Sequence, residues 1–274
     1  MSIEHNFAIK DKKVVMKNDA TLSVVSTSLQ YAFSVYESIK VINSHPVYAV
    51  DHINRLFSSA KGISLVHPFS SEDILISIYE LLKANEVKEA TIRILLTGGD
   101  ESHLFITSDT ILSYPDSYYT DGVSVTSYMG ERFLPLYKTS ALLMNYLALK
   151  EARVKGCFEA LLVDRYGKAL EGTRSNLFAL KGNTFYTAVD DEVLEGVTRD
   201  KILKAIAHHN FTISYTPIDL IEIKKGSYDS LFLSSTSMGA LPISSVDSVK
   251  VKVQSEKIAL IHRQIREWEI ESLP

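Results

Sequence analysis

Two amphipathic stretches lie between β-rich runs in the first 110 residues, and this order most constrains the fold. Residues 35–42 are rich in β-branched side chains and read as a strand, as do residues 21–25. Asp51 then reads as the cap of a helix with Ile53, Leu56, Phe57 and Ala60 on one face. Ser70 and Asp73 have the spacing of a capping box, opening a second helix with Ile74, Ile78, Leu81 and Leu82 inward. Residues 91–96 and 103–107 read as two strands joined by a turn at Gly98-Gly99-Asp100. Strand, helix, helix, strand, strand describes a mixed α/β unit rather than a bundle or a sandwich.

Polar and turn-forming residues then gather at 114–122, the best linker. A strand begins at 123, and a helix follows Thr139 and ends near Gly156. Residues 158–164, 169–180 and 184–188 read as successive strands, with turns at Tyr166-Gly167 and Lys181-Gly182-Asn183. A helix over 198–209 buries Ile202, Leu203 and Ile206. A strand at 230–233 runs into Ser234-Ser235-Thr236-Ser237, and a helix at 255–269 turns Ile258, Ile261, Ile265 and Trp268 inward. The expectation is two domains, residues 1–116 and 123–274, joined by 117–122.

A net charge of −4 gives no electrostatic reason to expect nucleic acid or an acidic membrane as partner. The one cysteine, Cys157, cannot close an intramolecular disulfide, which suits the cytoplasm. The apolar stretch near 141–149 is too short to span a bilayer.

Four local features carry chemistry. Within Glu171-Gly172-Thr173-Arg174-Ser175-Asn176, Glu171 is either a solvent-facing residue beside a bulge at Gly172 or a carboxylate held against a cationic ring nitrogen. Within Gly196-Val197-Thr198-Arg199-Asp200, Thr198 reads as a helix N-cap, and a helix N-terminus also binds phosphate. The cluster 234–237 is a polar turn or a hydroxyl and amide cradle for the same anion. Lys138, in front of an apolar helix, is a solvated surface residue or, if buried, an amine able to attack an aldehyde. An amine, an acid for a pyridine nitrogen and an anion site are together what a pyridoxal cofactor requires.

Six pieces in order extend this: Val35-Tyr36-Glu37, Asp51-His52-Ile53-Asn54-Arg55-Leu56, Lys138, Glu171 to Asn176, Gly196 to Asp200, and Ser235-Thr236. On these, the chain resembles the class IV aminotransferases, the fold-type IV pyridoxal-phosphate enzymes, from about Thr21 to the last helix. The resemblance implies a two-domain α/β (α+β) fold, a small N-terminal domain and a larger C-terminal one, with pyridoxal 5'-phosphate in the cleft between them. It implies Lys138 as Schiff-base lysine and proton shuttle, and Glu171 on the pyridine nitrogen. Arg55, Val197, Thr198, Ser235 and Thr236 would hold the phosphate, and Tyr36, Lys40, Arg93 and Ser237 would line the substrate. It also implies a homodimer, amino acid and keto acid substrates, and no metal.

Some positions depart from the family. Tyr31-Ala32-Phe33-Ser34-Val35 stands where several members carry glycines. Lys40 replaces the arginine frequent in branched-chain enzymes and lacks its planar fork. Leu143 occupies a position where the branched-chain type tends to have tyrosine, and the turn before His103 lacks the Arg-x-His carboxylate trap of the D-amino acid type. Arg93, in contrast, resembles a branched-chain position. The leading expectation is an amino acid aminotransferase. The alternatives are an aminodeoxychorismate lyase, a D-amino acid aminotransferase and a non-catalytic cofactor-binding protein.

Overall fold

The computed structural model describes residues 5–253 and 255–273. The chain divides into two units. The first runs to Leu112 and takes in the detached segment Tyr137–Ala141; the second comprises Ser113–Leu136 and Leu142–Ile270.

The first unit contains β1 (Phe7–Lys10), β2 (Lys13–Met16), α1 (Thr27–Gln30), β3 (Ser34–Ile42), β4 (His45–Pro46), α2 (Ala49–Gly62), α3 (Ser71–Ala84), β5 (Ala90–Thr97) and β6 (His103–Asp109). Its six strands form one antiparallel sheet in the order β2-β1-β6-β5-β3-β4. Strand alternation explains the packing. Val35, Ile39 and Val41 of β3, with Ile92, Ile94 and Leu96 of β5, join Ile53, Leu56, Ile74, Ile78 and Leu81 of α2 and α3 in one core. The intervening residues Tyr36, Ser38 and Lys40 take the opposite face.

The capping box is present: Ser70 accepts from the Asp73 N–H and Asp73 from the Ser70 N–H. Two expectations are corrected. Residues 21–25 form no strand, because their β-branched side chains find no partner strand. Asp51 is not the cap of α2, which begins two residues earlier after Tyr48; Asp51 sits in the first turn, where a carboxylate still favours the helix dipole. Ala32, in the stretch where the family carries glycines, has φ 52°, a left-handed conformation costing a non-glycine residue about 1–2 kcal/mol.

The second unit contains α4 (Ser117–Thr120), β7 (Val123–Met129), α5 (Leu143–Val154), β8 (Glu159–Val163), β9 (Lys168–Gly172), β10 (Asn176–Lys181), β11 (Thr184–Thr187), α6 (Val197–His208), β12 (Thr212–Tyr215), β13 (Ile218–Asp219), α7 (Leu220–Lys224), β14 (Ser230–Ser235), β15 (Gly239–Val246), β16 (Val249–Lys250) and α8 (Glu256–Glu271). Its strands run β12-β11-β10-β14-β15-β7-β8-β9-β13, and β9 also returns to β10 through Glu171 opposite Asn176. Six strands therefore close on themselves. Leu161, Val163, Leu177, Leu231, Leu233, Leu241 and Ile243 share one apolar cluster. Phe178, Phe185 and Phe232 pack against α6 and α8 through Ile202, Ile206, Ile258, Ile261 and Ile265. Ala160 and Leu162 meet Ala148 and Ala152 of α5.

Residues 169–180 are thus two strands, not one. The chain reverses at Thr173 to Ser175, where the Gly172 N–H donates to the Ser175 carbonyl (2.7 Å). The 114–122 segment is no bare linker either: it carries α4, and Tyr114 and Tyr118 pack edge-on against Phe158.

Candidate active site

In the first unit the site is built around Lys138. Its segment lies beside the start of β3 through an isolated antiparallel bridge. The Tyr36 N–H donates to the Lys138 carbonyl (3.0 Å), the Ser140 N–H to the Ser34 carbonyl (3.0 Å), and Thr139 bridges Val35. The Lys138 N–H donates to Ser59 Oγ on α2 (3.0 Å), so its backbone is held on both sides. Lys138 is therefore in extended chain rather than at a helix start; α5 begins at Leu143. Gly62 lacks a Cβ where the Tyr137 ring presses against α2, which any larger residue would displace. The half-buried Lys138 Nζ stands 4.5 Å from the Tyr36 ring centroid, and the Arg93 guanidinium 4.7 Å from the same ring. Arg93 reaches it from β5, where it pairs with Ser38. Lys40 shares that face two alternate positions beyond Tyr36, opposite Thr91.

Arg55 is committed to a partner the sequence reading assigned no role. Its Nε and Nη2 donate to Oε1 and Oε2 of Glu37 at 2.6 and 2.7 Å, and His52 Nδ1 lies 2.8 Å from Oε2. The Glu37 side chain is fully buried. Burial alone would raise its pKa, but the Arg55 charge and the bonds from His52 and Arg55 outweigh it and hold the carboxyl far below the usual range. Burial lowers the pKa of His52, which is therefore neutral at pH 7. Against an ionised Glu37, its Nδ1 carries the proton and donates.

Arg55→Ala is accordingly expected to cost stability. Removing one partner of a buried pair costs about 3–5 kcal/mol, which chemical denaturation will measure. Adding Glu37→Gln should recover part of the stability. The acid dependence has a definite sign. In the unfolded chain Glu37 takes up a proton near pH ~4.3, whereas in the fold it stays ionised to lower pH. The pair's stabilisation is present above that value and is lost as pH falls below it. An acid-unfolding curve of Arg55→Ala as steep below pH ~4 as the wild type's, with stability unchanged at neutral pH, would refute this account.

In the second unit Glu171 is 3% exposed and accepts from Arg132 Nε at 3.0 Å. It is not the solvent-facing residue of the simpler sequence reading; Gly172 adjoins a tight turn, and the register of β9 on β8 shifts just before Glu171, between the Leu162–Glu171 and Val163–Ala169 pairs. Strand pairing places Glu171 opposite Asn176, and Asn176 opposite Ser234, across three adjacent strands. Asn176 Nδ2 donates to the Leu194 carbonyl (2.8 Å), just before α6. A Cβ on Gly196 would overlap Asn176 Oδ1, so glycine is needed for this close approach. The N-cap of α6 is Gly196, with no side-chain cap; Thr198 is the second helical residue, correcting its reading as the cap. Arg199 fixes this end by donating to Asp190 (2.6 Å) and to the Ala188 carbonyl (2.8 Å). Ser235, Thr236 and Ser237 form a half-buried turn in which Ser235 Oγ and Ser237 Oγ lie 3.4 Å apart. Arg266 donates to the Ser237 carbonyl from α8 (3.2 Å). The buried Ser234 Oγ has no hydrogen-bond partner.

Comparison with known proteins decides the family. The family described as amino-transferase class IV matches residues 34–246. The chain belongs to the class IV aminotransferases. A Rickettsia typhi protein named probable branched-chain-amino-acid aminotransferase is 30% identical over 251 residues, 86% of each chain. The D-alanine aminotransferase of Bacillus licheniformis is 26% identical, again over 86% of each. The crystal structure of the branched-chain aminotransferase of Thermoproteus uzoniensis with norvaline superimposes with a TM-score of 0.88 at 23% identity, covering 97% of this chain and 95% of that one.

A class IV aminotransferase is a pyridoxal-phosphate enzyme that moves amino groups between amino acids and keto acids, and this is the chain's activity. The residues present fit that cofactor. One unit offers an amine on a pinned backbone. The other offers a buried carboxylate that accepts from Arg132, and a glycine-capped helix N-terminus whose first-turn N–H groups have no side-chain cap. No described helix is long and apolar enough to cross a membrane.

Proposed function

We propose that this chain is an aminotransferase of the branched-chain type, exchanging an amino group between a branched-chain amino acid and a 2-keto acid in the cytoplasm. The observation that carries the reading is the pair of cations on one ring: Lys138 Nζ and the Arg93 guanidinium over Tyr36. Arg93 is the position resembling branched-chain enzymes, and the Rickettsia typhi relative bears that name.

Bound pyridoxal phosphate supplies an electron sink for charge developing on the substrate's α-carbon and carries the amino group between half-reactions. Lys138 would hold it through Nζ, and the same amine would take the α-proton and return it. Tyr36 orients Nζ. Glu171, held by Arg132, would be the partner of the pyridine nitrogen. Arg55, the N-terminus of α6 at Val197 and Thr198, and Ser235 with Thr236 take the phosphate. Arg93, Lys40 and Ser237 receive substrate carboxylates.

A donor screen with both enantiomers, using 2-oxoglutarate and pyruvate as acceptors, tests this reading. One enantiomer of leucine, isoleucine or valine should exceed alanine in kcat/KM by at least ~10-fold. A preference for D-alanine, or product formed without any keto acid, rejects it; the second outcome is that of a lyase.

A homodimer belongs to the same proposal. The exposed face of α5 carries Leu143, Tyr146, Leu147 and Val154, an apolar stripe at helical spacing that a monomer would leave in water. Light scattering should give twice 30.6 kDa, and Tyr146→Glu should lower that mass. A wild-type monomer would reject the dimer.

A further inference from the structure

We propose that Glu159 is a positioning residue for the reaction: its carboxylate shapes the turn after Glu171, and so fixes Glu171 together with the N-terminus of α6. The inference rests on Glu171 and α6 holding the cofactor.

Glu159 opens β8 and is fully buried. One of its oxygens, Oε1, receives Thr173 Oγ1 (3.1 Å), the Arg174 N–H (2.8 Å) and Ser175 Oγ (3.1 Å). All three donors belong to the turn between Glu171 and Asn176. The turn is held elsewhere as well: Asn145 of α5 donates to the Thr173 carbonyl (2.8 Å), and the Thr173 N–H to the Ala160 carbonyl (3.1 Å). A Cβ on Gly172 would overlap both Ser175 Oγ and Glu159 Oε1, so the glycine makes room for this carboxylate.

The turn joins two functional groups. Glu171 immediately precedes Gly172, and Asn176 follows Ser175 and holds the Leu194 carbonyl at the approach to α6. A shift of the turn therefore moves the acid and the anion site together. A buried acid is a costly way to hold an ordinary turn, and here the second oxygen, Oε2, is buried without a hydrogen-bond partner, with Arg174 Nε 3.8 Å away. Burial raises the pKa of Glu159, opposed by Arg174 and the three donors. Glutamine is thus the conservative replacement: its amide oxygen can accept the same three bonds.

The test uses enzyme reconstituted with pyridoxal phosphate, comparing Glu159→Gln, Glu159→Leu and wild type. The measurements are the cofactor dissociation constant, the pH titration of bound-cofactor absorbance, and circular dichroism as a check on folding. Glu159→Leu leaves the turn donors unpaired and should weaken cofactor binding at least ~10-fold and shift the absorbance titration, while Glu159→Gln stays within about threefold of wild type. A folded Glu159→Leu with wild-type affinity and titration overturns the proposal, as does a Glu159→Gln as impaired as the leucine variant. Where Glu159→Leu does not fold, the pair Thr173→Val with Ser175→Ala removes two donors from the turn side. The same shift is expected there, and wild-type values would overturn the proposal. Failure of the underlying reading looks different: wild-type protein itself would then show no cofactor attached to lysine.

Discussion

Lys138→Ala is expected to abolish amino-group transfer while leaving the protein folded. The backbone bonds that place residue 138, to Ser59 Oγ and to the Tyr36 N–H, do not involve its side chain and survive the substitution. What is lost in the fold includes a cation over an aromatic ring, worth about 0.5–1 kcal/mol at a partly exposed site. What is lost in the reaction is the covalent anchor and the proton carrier together. A positioned general base alone contributes about 10²–10⁴-fold, so turnover should fall by at least that factor. Borohydride reduction of the loaded wild type followed by peptide mass spectrometry should place the cofactor on Lys138. Lys40, on the same face of β3, is the built-in competitor; a label there or on any other lysine removes Lys138 from its role.

The second large effect is expected at Glu171. With its charge gone, Glu171→Gln still offers a hydrogen bond to Arg132, but the buried guanidinium loses its counter-charge. Breaking a buried pair costs about 3–5 kcal/mol when one partner is removed outright, and the glutamine should fall below that range. The larger consequence is kinetic. The carboxylate's attraction for a protonated ring nitrogen matters most as charge develops on the substrate, so the rate of α-proton removal should fall more than cofactor affinity does. Single-turnover spectroscopy separates the two. A variant converting bound substrate at the wild-type rate would take Glu171 out of the mechanism. A double variant with Arg132→Met should regain stability without regaining rate.

Much of this was legible in the chain. Alternation in residues 35–42 and 91–96 reads out β3 and β5 because one face of each is buried and the other is not. Ser70 and Asp73 announce α3 because a capping box is local chemistry. The misreadings share a cause: the deciding partner is distant in sequence. Residues 169–180 look like one strand because the reversal at Thr173 to Ser175, closed by one backbone bond of its own, makes three further bonds to Glu159, well upstream. Residues 21–25 have strand composition but no strand to pair with. In the site, Lys138 and Glu171 stand out through short motifs. Arg132 and the role of His52 do not, since nothing adjacent to them in sequence marks them. Glu37 and His52 lay within the quoted motifs, yet only the fold brings them to one buried charge.

The bridged segment carrying Lys138 has a consequence for synthesis. At its outer edge, the start of β3 leaves the Ser34 carbonyl and Tyr36 N–H to be satisfied by residues more than a hundred positions downstream. A nascent chain that has emerged only as far as Leu112 holds the strands and both long helices of its unit, but with that edge uncovered, a ready template for pairing with another chain. The ribosome must deliver residue 140 before the sheet is sealed, and the stretch that seals it also brings the reactive amine. A fragment terminated at the linker is therefore expected to self-associate, and supplying 137–141 covalently to suppress that. In this protein completion of the first sheet and arrival of the proposed Schiff-base lysine are one event.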